Sequence, residues 1–173
     1  WFSALNFFDV DPYLSRSGNY ENPKGQGSVI SMDATIEFLE KHKDGDKPMF
    51  TVTWFPAPHG PFAEVPVDFR GEDELYASEK SKGYFLEITL IDQQIARLRA
   101  SLRDMGIEDN TILWYTSDNG GLVEASSGGR KKKGSIYEGG LRVLSIVEWP
   151  AKLKPARISL PSSSSDIYPT LVS

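Results

Sequence analysis

The chain has 173 residues, of which 39% are hydrophobic and 25% charged, so it is long enough to form one domain with a hydrophobic core. Its formal net charge of -5 argues against general nucleic-acid binding, and no apolar run approaches the length of a membrane span. The sequence contains no cysteine. Disulfide bonds, thiolate metal sites and cysteine nucleophiles are therefore excluded within these residues.

The first third of the chain predicts a loop, a helix and a strand in that order. Residues 1–30 are rich in Gly, Asn, Pro and aromatic residues, which predicts a loop held by the buried anchors Trp1, Phe7, Phe8 and Tyr13. Ser31 is a suitable N-cap for a helix that continues to Glu40. Residues 49–55, MFTVTWF, are apolar enough to predict a buried strand.

His59 follows this strand in the segment Pro56-Ala57-Pro58-His59-Gly60-Pro61. A histidine between prolines is held stiffly at the end of the strand, where ligands bind in open α/β sheets. Near neutral pH such a side chain can donate a hydrogen bond or a proton. A histidine packed in a rigid turn is the alternative on the residues alone.

A long amphipathic helix is predicted after a polar surface loop at residues 63–83. Apolar residues recur at alternating spacings of four and three, which is typical of a helix packed on a sheet: Tyr84, Ile88, Ile91, Ile95, Leu98, Leu102 and Met105. Glu87 and several arginines cover the opposite, solvated face, and Gly106 ends the helix.

Residues 111–116, TILWYT, predict a second buried strand, and the acidic segment Ser117-Asp118-Asn119-Gly120-Gly121 follows it directly. The carboxylate of Asp118 and the amide oxygen of Asn119 are hard ligands suited to Ca²⁺ or Mg²⁺. Asp-Asn-Gly is also common turn chemistry, so an ordinary polar turn is the alternative.

A basic, glycine-rich segment at residues 126–135, SSGGRKKKGS, comes next. It lacks the order of a phosphate-binding P-loop, and a basic run is commonly a solvated surface. Gly139 and Gly140 permit a tight turn, which an ion pair between Glu138 and Arg142 could hold. Residues 143–149 then predict a third strand, and Ser165 or Asp166 caps a last helix. The three strands with the intervening helices predict an α/β sandwich with a mixed or largely parallel sheet.

Three motifs together resemble the sulfatases, a family of the alkaline-phosphatase-like superfamily: APHGP, SDNGG and KGSIYEGGLR. The resemblance extends from about residue 48 to 171. It implies a three-layer α/β/α sandwich, of which residues 1–173 would be the later part of the catalytic domain. The family's nucleophile motif, a cysteine or serine converted to formylglycine, is absent from these residues, as is the early aspartate pair of the metal site. The chain is therefore expected to be a fragment.

The resemblance implies that the intact protein hydrolyses sulfate esters by a calcium-assisted formylglycine mechanism. Asp118 and Asn119 would bind Ca²⁺, and His59 and Lys133 would bind the sulfate and assist catalysis. The lysine is singled out from its neighbours because it directly precedes GSIYEGG. The chain alone is expected to be inactive. A sulfated small molecule or polysaccharide is the expected substrate, with no nucleic-acid partner, and a periplasmic or extracellular location is implied only by the family.

Two alternatives remain open at this point. A related hydrolase of phosphate monoesters, phosphate diesters or phosphonates would share most of these motifs. A non-catalytic, degenerate relative could retain the four residues and only bind a sulfated ligand. The nucleophile and the remaining metal ligands would distinguish these possibilities.

Overall fold

A computed structural model of the chain describes residues 2–4, 10–60, 62, 79–122 and 127–173, and the side chains within 10–60, 62, 82–122 and 127–173. These residues form two compact units, 1–108 and 109–173. No helix in the described ranges is long and apolar enough to cross a membrane.

The first unit begins with a small antiparallel sheet, so the expectation of a loop over residues 1–30 is wrong. Its strands are β1 (Phe2–Ala4), β2 (Leu14–Arg16) and β3 (Asn19–Glu21), in the order β1-β2-β3. Ser17 and Gly18 join β2 to β3 with φ values of 53° and 89°, the two positive angles that a tight hairpin turn needs. Leu14 is the buried residue here, whereas Tyr13, a predicted anchor, is 59% exposed. The predicted anchors Trp1, Phe7 and Phe8 lie outside the described residues.

Two helices form the core of the first unit. Helix α1 (Gly27–His42) begins four residues before the predicted Ser31 cap, and helix α2 (Glu79–Asp104) begins five residues before Tyr84. Helix α2 starts in the polar sequence EKSKG, where an apolar stripe gives no signal. The helices pack together, and the residues with side chains less than 9% exposed include Met32, Leu39, Tyr84, Leu90, Ile91, Leu98 and Leu102. Glu87, predicted on the solvated face of α2, is fully buried.

Residues 49–55 do not form the predicted buried strand. They carry no strand pairing, and Phe50, Val52 and Trp54 are exposed. Thr53, between two of these exposed residues in the sequence, forms a hydrogen bond between its hydroxyl and the Thr35 hydroxyl of α1 at 2.7 Å. A strand exists only where a second backbone pairs with it, and no described residue provides that partner.

The second unit contains a two-stranded antiparallel sheet of β4 (Leu113–Thr116) and β5 (Ser145–Glu148). The register places Leu113 opposite Glu148 and Thr116 opposite Ser145. Both strands are shorter than predicted, and their side chains are partly or fully exposed, not buried. Among the described residues every strand pairing is antiparallel, which corrects the expectation of a mixed or largely parallel sheet.

Two short helices complete the second unit. Helix α3 (Glu138–Leu141) occupies the position of the predicted glycine turn, and helix α4 (Ile167–Val172) ends the chain. A 3-10 turn at Ser164–Asp166 precedes α4. Asp166, one of the two predicted caps, is at the N-cap position of α4, although its side chain forms no capping bond there. Its carboxylate instead accepts the Ser163 N–H at 2.7 Å in the capping box of the 3-10 turn.

Candidate active site

Asp118 and Asn119 lie in the loop that follows β4, as the sequence predicts. The hydroxyl of Ser117 donates to the carbonyl oxygen of Asn119 at 2.9 Å and tightens this turn. The Asp118 carboxylate is exposed, and neither it nor the Asn119 amide forms a hydrogen bond or ion pair with another described residue. Both side chains therefore have oxygen atoms that can accept a cation.

The donor set at this loop fits a hard divalent cation only in part. One carboxylate oxygen and one amide oxygen suit Ca²⁺ or Mg²⁺, but Ca²⁺ takes six to eight oxygen ligands. Within the described parts of the chain no three His, Cys, Asp or Glu side chains converge as a metal site. Among the described residues, Asp118 and Asn119 alone would therefore be an incomplete set of ligands for Ca²⁺.

The basic segment that contains Lys133 is bonded directly to the loop of Asp118 and Asn119. The backbone N–H of Lys133 donates to the carbonyl oxygen of Gly121 at 2.9 Å, and the N–H of Gly120 donates to the carbonyl oxygen of Gly140 at 2.9 Å. A third bond runs from the Gly139 N–H to the Arg130 carbonyl oxygen, also at 2.9 Å. Three segments, 118–121, 130–135 and 138–141, are thus joined through their backbones. We call these three segments the glycine platform.

Glycine is required in this platform because the backbones nearly touch. A Cβ on Gly120 would lie 1.9 Å from the Gly139 oxygen, and a Cβ on Gly139 would lie 1.9 Å from the Lys131 oxygen. A Cβ on Gly140 would lie 2.1 Å from the Ser135 oxygen. Real side chains do not tolerate such distances, so every other residue would separate the segments. The glycines of SDNGG and YEGG therefore place Asp118, Asn119 and Lys133 on one rigid support.

The predicted pair of Glu138 and Arg142 does not hold this loop through its side chains. Their contact is a backbone bond of 2.8 Å from the Arg142 N–H to the Glu138 oxygen, as in any helical turn. Over the described residues neither side chain forms an ion pair. Backbone hydrogen bonds and close glycine contacts hold the loop instead.

Sequence reasoning missed two further features of the glycine platform. The buried Ser127 hydroxyl donates to the backbone oxygen of Lys131 at 2.6 Å, so it holds the backbone of the basic segment in place. The Arg130 guanidinium lies 4.1 Å from the centre of the Tyr137 ring. The basic run was visible in the sequence, but nothing local shows that an arginine will stack on a tyrosine seven residues later.

His59 belongs to the first unit and is described there by itself. Its Nδ1 lies 2.7 Å from the carbonyl oxygen of Gly60, and its backbone N–H donates to the Pro56 oxygen at 3.1 Å. Because a carbonyl oxygen only accepts, Nδ1 must carry the proton of this bond. Phe62 anchors the same turn on α2, where its ring meets Tyr84 edge-on at 6.0 Å between centroids. The imidazole is thus held in one tautomer on a fixed turn.

Comparison with known proteins shows a clear relationship. The family model named Sulfatase matches residues 2–173. The uncharacterized sulfatase YdeN of Escherichia coli is 28% identical over 163 residues, which cover 92% of this chain and 29% of YdeN. The ulvan-active sulfatase of Formosa agariphila is 24% identical over 189 residues, which cover 99% of this chain and 36% of that protein.

A solved structure gives the same result for the fold. The crystal structure of Ps i-CgsB in complex with k-i-k-neocarrahexaose superposes with a TM-score of 0.79 and 27% sequence identity. The match covers 92% of this chain and 36% of that one, so the chain spans about a third of the length of the proteins it resembles. The predicted fold class, an α/β sandwich of the alkaline-phosphatase-like type, is confirmed by this similarity. The chain belongs to the sulfatase family.

Proposed function

We propose that the protein carrying this chain is an enzyme that hydrolyses sulfate esters, and that residues 1–173 are part of its catalytic domain. One observation supports this most strongly: the glycine platform joins the loop of Asp118 and Asn119 to the segment of Lys133 through backbone hydrogen bonds of 2.9 Å. A metal-ligand pair and a fixed cation on one support are suited to a tetrahedral anion.

Asp118 and Asn119 are proposed to bind Ca²⁺ together with ligands from outside these residues. When bound, the cation would polarise the sulfate group and offset its negative charge. The side chains are suited to this role because their oxygen atoms are not committed to other described residues. Asp118 supplies the negative charge that holds the cation, and Asn119 supplies a neutral oxygen donor.

Lys133 is proposed to bind a sulfate oxygen as a point charge. Its backbone is fixed by the bond to Gly121, so the four-carbon side chain starts from a fixed position at the loop of Asp118. Charge grows on the sulfate oxygens and on the leaving oxygen as the ester bond breaks, and a fixed cation stabilises that charge.

His59 is proposed to protonate the leaving oxygen or to donate a hydrogen bond to the sulfate. Because Nδ1 donates to the Gly60 oxygen, any proton that His59 gives to a substrate must come from Nε2. The ring must therefore act in its doubly protonated form.

The nucleophile is proposed to be a formylglycine outside these residues, as the family resemblance implies. No cysteine occurs in the chain, and no Ser-x-Pro-x-Arg motif is present. With two metal ligands and no nucleophile, the 173 residues alone are proposed to be inactive. A periplasmic or extracellular location is proposed on the resemblance alone.

A sulfated small molecule or polysaccharide is the proposed substrate. The similarity to a protein named an ulvan-active sulfatase and to a structure that contains neocarrahexaose supports a carbohydrate. Residues 63–78 of the predicted surface loop lie outside the described residues.

The test is an assay of the protein expressed from its complete reading frame, with an aryl sulfate and the matching aryl phosphate. Turnover of the sulfate, at least about tenfold faster than the phosphate, supports the proposal. Faster turnover of the phosphate would identify a phosphoester hydrolase. Binding of a sulfated sugar with no turnover of either ester would identify a non-catalytic relative.

A further inference from the structure

The side chain of Arg130 lies over the ring of Tyr137 and remains exposed to solvent. Its guanidinium carbon lies 4.1 Å from the centre of the Tyr137 ring, and Arg130 and Tyr137 are both exposed. A guanidinium stacked on an aromatic ring keeps its N–H groups in a plane, directed outward from the stack. Such a fork matches two oxygens of a sulfate or carboxylate group.

The backbone beneath Arg130 is held from two sides. The Arg130 oxygen accepts the Gly139 N–H at 2.9 Å, and the next oxygen, that of Lys131, accepts the Ser127 hydroxyl at 2.6 Å. Lys131 has a φ of 69°, a left-handed conformation that a lysine adopts only where its surroundings impose it. The segment is therefore built into one conformation, which an ordinary solvated lysine run does not require.

The segment also carries unneutralised charge. Arg130, Lys131, Lys132 and Lys133 are four consecutive cations, and none of them forms an ion pair with a carboxylate in the described parts of the chain. By contrast, Arg16, Arg97 and Arg103 of the first unit each pair with a carboxylate, as in the 2.6 Å contact of Arg97 with Asp33. A concentrated positive charge in a chain of net charge -5 suits a small anionic group.

We propose that Arg130, assisted by Lys131 and Lys132, forms a second anion site that binds a sulfate group of the substrate other than the ester that is cleaved. The occupant is a carbohydrate that carries sulfate groups on neighbouring sugars. This inference rests on the proposed function, since it places the scissile sulfate at Lys133, one to three residues away on the same platform. The site makes the protein selective for multiply sulfated chains over singly sulfated ones.

The experiment measures binding, so that it does not depend on turnover. A dextran sulfate oligosaccharide is titrated into the protein from the complete reading frame by calorimetry, with uncharged dextran as the blank. Arg130→Ala is expected to weaken binding about 5- to 10-fold, because it removes a charge-assisted fork. Arg130→Lys keeps the charge but loses the two-pronged guanidinium, so its affinity is expected to lie between those of Arg130→Ala and the wild type. Tyr137→Leu, which removes the stack alone, should also weaken binding.

Lys152→Ala is the matched control. Lys152 is an exposed cation in the same unit and lies over the Trp149 ring at 5.9 Å, so its loss removes the same charge and the same type of contact elsewhere. It should leave the affinity within about twofold of the wild type. Equal losses in Arg130→Ala and Lys152→Ala would overturn the proposal, as would no loss in Arg130→Ala. Thermal unfolding of each variant verifies that it is folded. If Arg130→Ala does not fold, the affinity of Arg130→Lys relative to the wild type tests the proposal instead.

The outcomes separate this site from the proposed function. Loss of affinity in Arg130→Ala without any aryl sulfate turnover by the wild type would leave the anion site standing and remove the sulfatase assignment. If the wild type turns over the aryl sulfate and Arg130→Ala keeps full affinity for the oligosaccharide, the proposed function stands and the second anion site is refuted.

Discussion

The backbone N–H of Gly120 donates a 2.9 Å hydrogen bond to the carbonyl oxygen of Gly140, and no side chain fits between the segments that this bond joins. Gly120 follows the two proposed metal ligands directly, and Gly140 lies in α3, five residues after the basic segment. This bond fixes the loop of Asp118 and Asn119 against α3, and the bond from the Lys133 N–H to the Gly121 oxygen fixes Lys133 against the same loop.

The first prediction concerns the packing of this platform. Gly139→Ala is expected to disrupt the platform and reduce aryl sulfate turnover at least about 100-fold, because its Cβ would lie 1.9 Å from the Lys131 oxygen. Gly134→Ala is the control: this glycine has a φ of 85° and nothing within 4 Å of its Cβ position. It should cost only about 1–2 kcal/mol of stability. Thermal unfolding and turnover of both variants check the difference, and equal effects would contradict the account.

The second prediction concerns the metal. A chelator should abolish aryl sulfate turnover by the protein from the complete reading frame, and added Ca²⁺ should restore it. Asp118→Ala should not be rescued at Ca²⁺ concentrations that saturate the wild type, because the cation loses its carboxylate ligand. Asp109→Ala removes an exposed carboxylate of the same unit that lies outside the platform. If Asp109→Ala and Asp118→Ala respond alike to Ca²⁺, Asp118 is not a metal ligand.

The third prediction concerns His59. His59→Ala should lower kcat/KM for an aryl sulfate about 100-fold, the usual contribution of a general acid. His59→Gln places an amide N–H near the position of Nε2, so it should retain more activity on a substrate with a good leaving group. The second histidine, His42, packs on Phe38 at 4.7 Å at the end of α1 and provides the control. Wild-type kinetics in His59→Ala would refute the role.

The glycine motifs of the platform were visible in the sequence, whereas the strands were predicted with the wrong bounds and burial. SDNGG and YEGG could be recognised because close backbone contacts admit only glycine, which leaves a mark in the local sequence. The absence of a strand at 49–55 could not be predicted from the local sequence, since strand pairing depends on a distant backbone. The hairpin at Ser17-Gly18 did have a local signal, a serine–glycine pair between two short extended segments, which the high Gly and Pro content of residues 1–30 obscured.

Buried charge was the other limit of sequence reasoning. Glu87 falls on the polar side of the stripe drawn from Tyr84 to Met105, yet it is fully buried, as is most of Gln94. An apolar stripe predicts which face of a helix is buried. Where other elements pack on more than one face of the helix, polar positions are buried as well. Arg97 is exposed, as expected for the solvated face, and it also pairs with Asp33 of α1 at 2.6 Å.

The fourth prediction concerns the acid stability of the first unit. The Gly25 N–H and, secondarily, the Lys24 ammonium hold the pKa of Asp11 below its ordinary value of 3.8. A carboxylate with a lowered folded pKa stabilises the fold above its unfolded pKa, and this stabilisation is lost as pH falls through the folded pKa. Asp11→Asn keeps an oxygen acceptor and tolerates the φ of 49° at this position but has no charge.

Chemical denaturation at a series of pH values checks this. The wild type should be more stable than Asp11→Asn by a constant amount from about pH 5 to 8, and the difference should shrink below about pH 4. Glu40→Gln, at an exposed position of α1 without a described ion pair, serves as the control. A difference that grows on acidification would show that the charge of Asp11 does not stabilise the fold.

The most direct test of the central claim is the kcat/KM of Lys133→Ala for an aryl sulfate, measured beside the wild type and Lys152→Ala in the protein from the complete reading frame. Lys133→Ala should lower kcat/KM about 100- to 1,000-fold, because it removes a fixed cation from the sulfate, while Lys152→Ala stays within about twofold. Equal activity in Lys133→Ala and Lys152→Ala would contradict the proposal that the glycine platform is the sulfate-binding part of the active site.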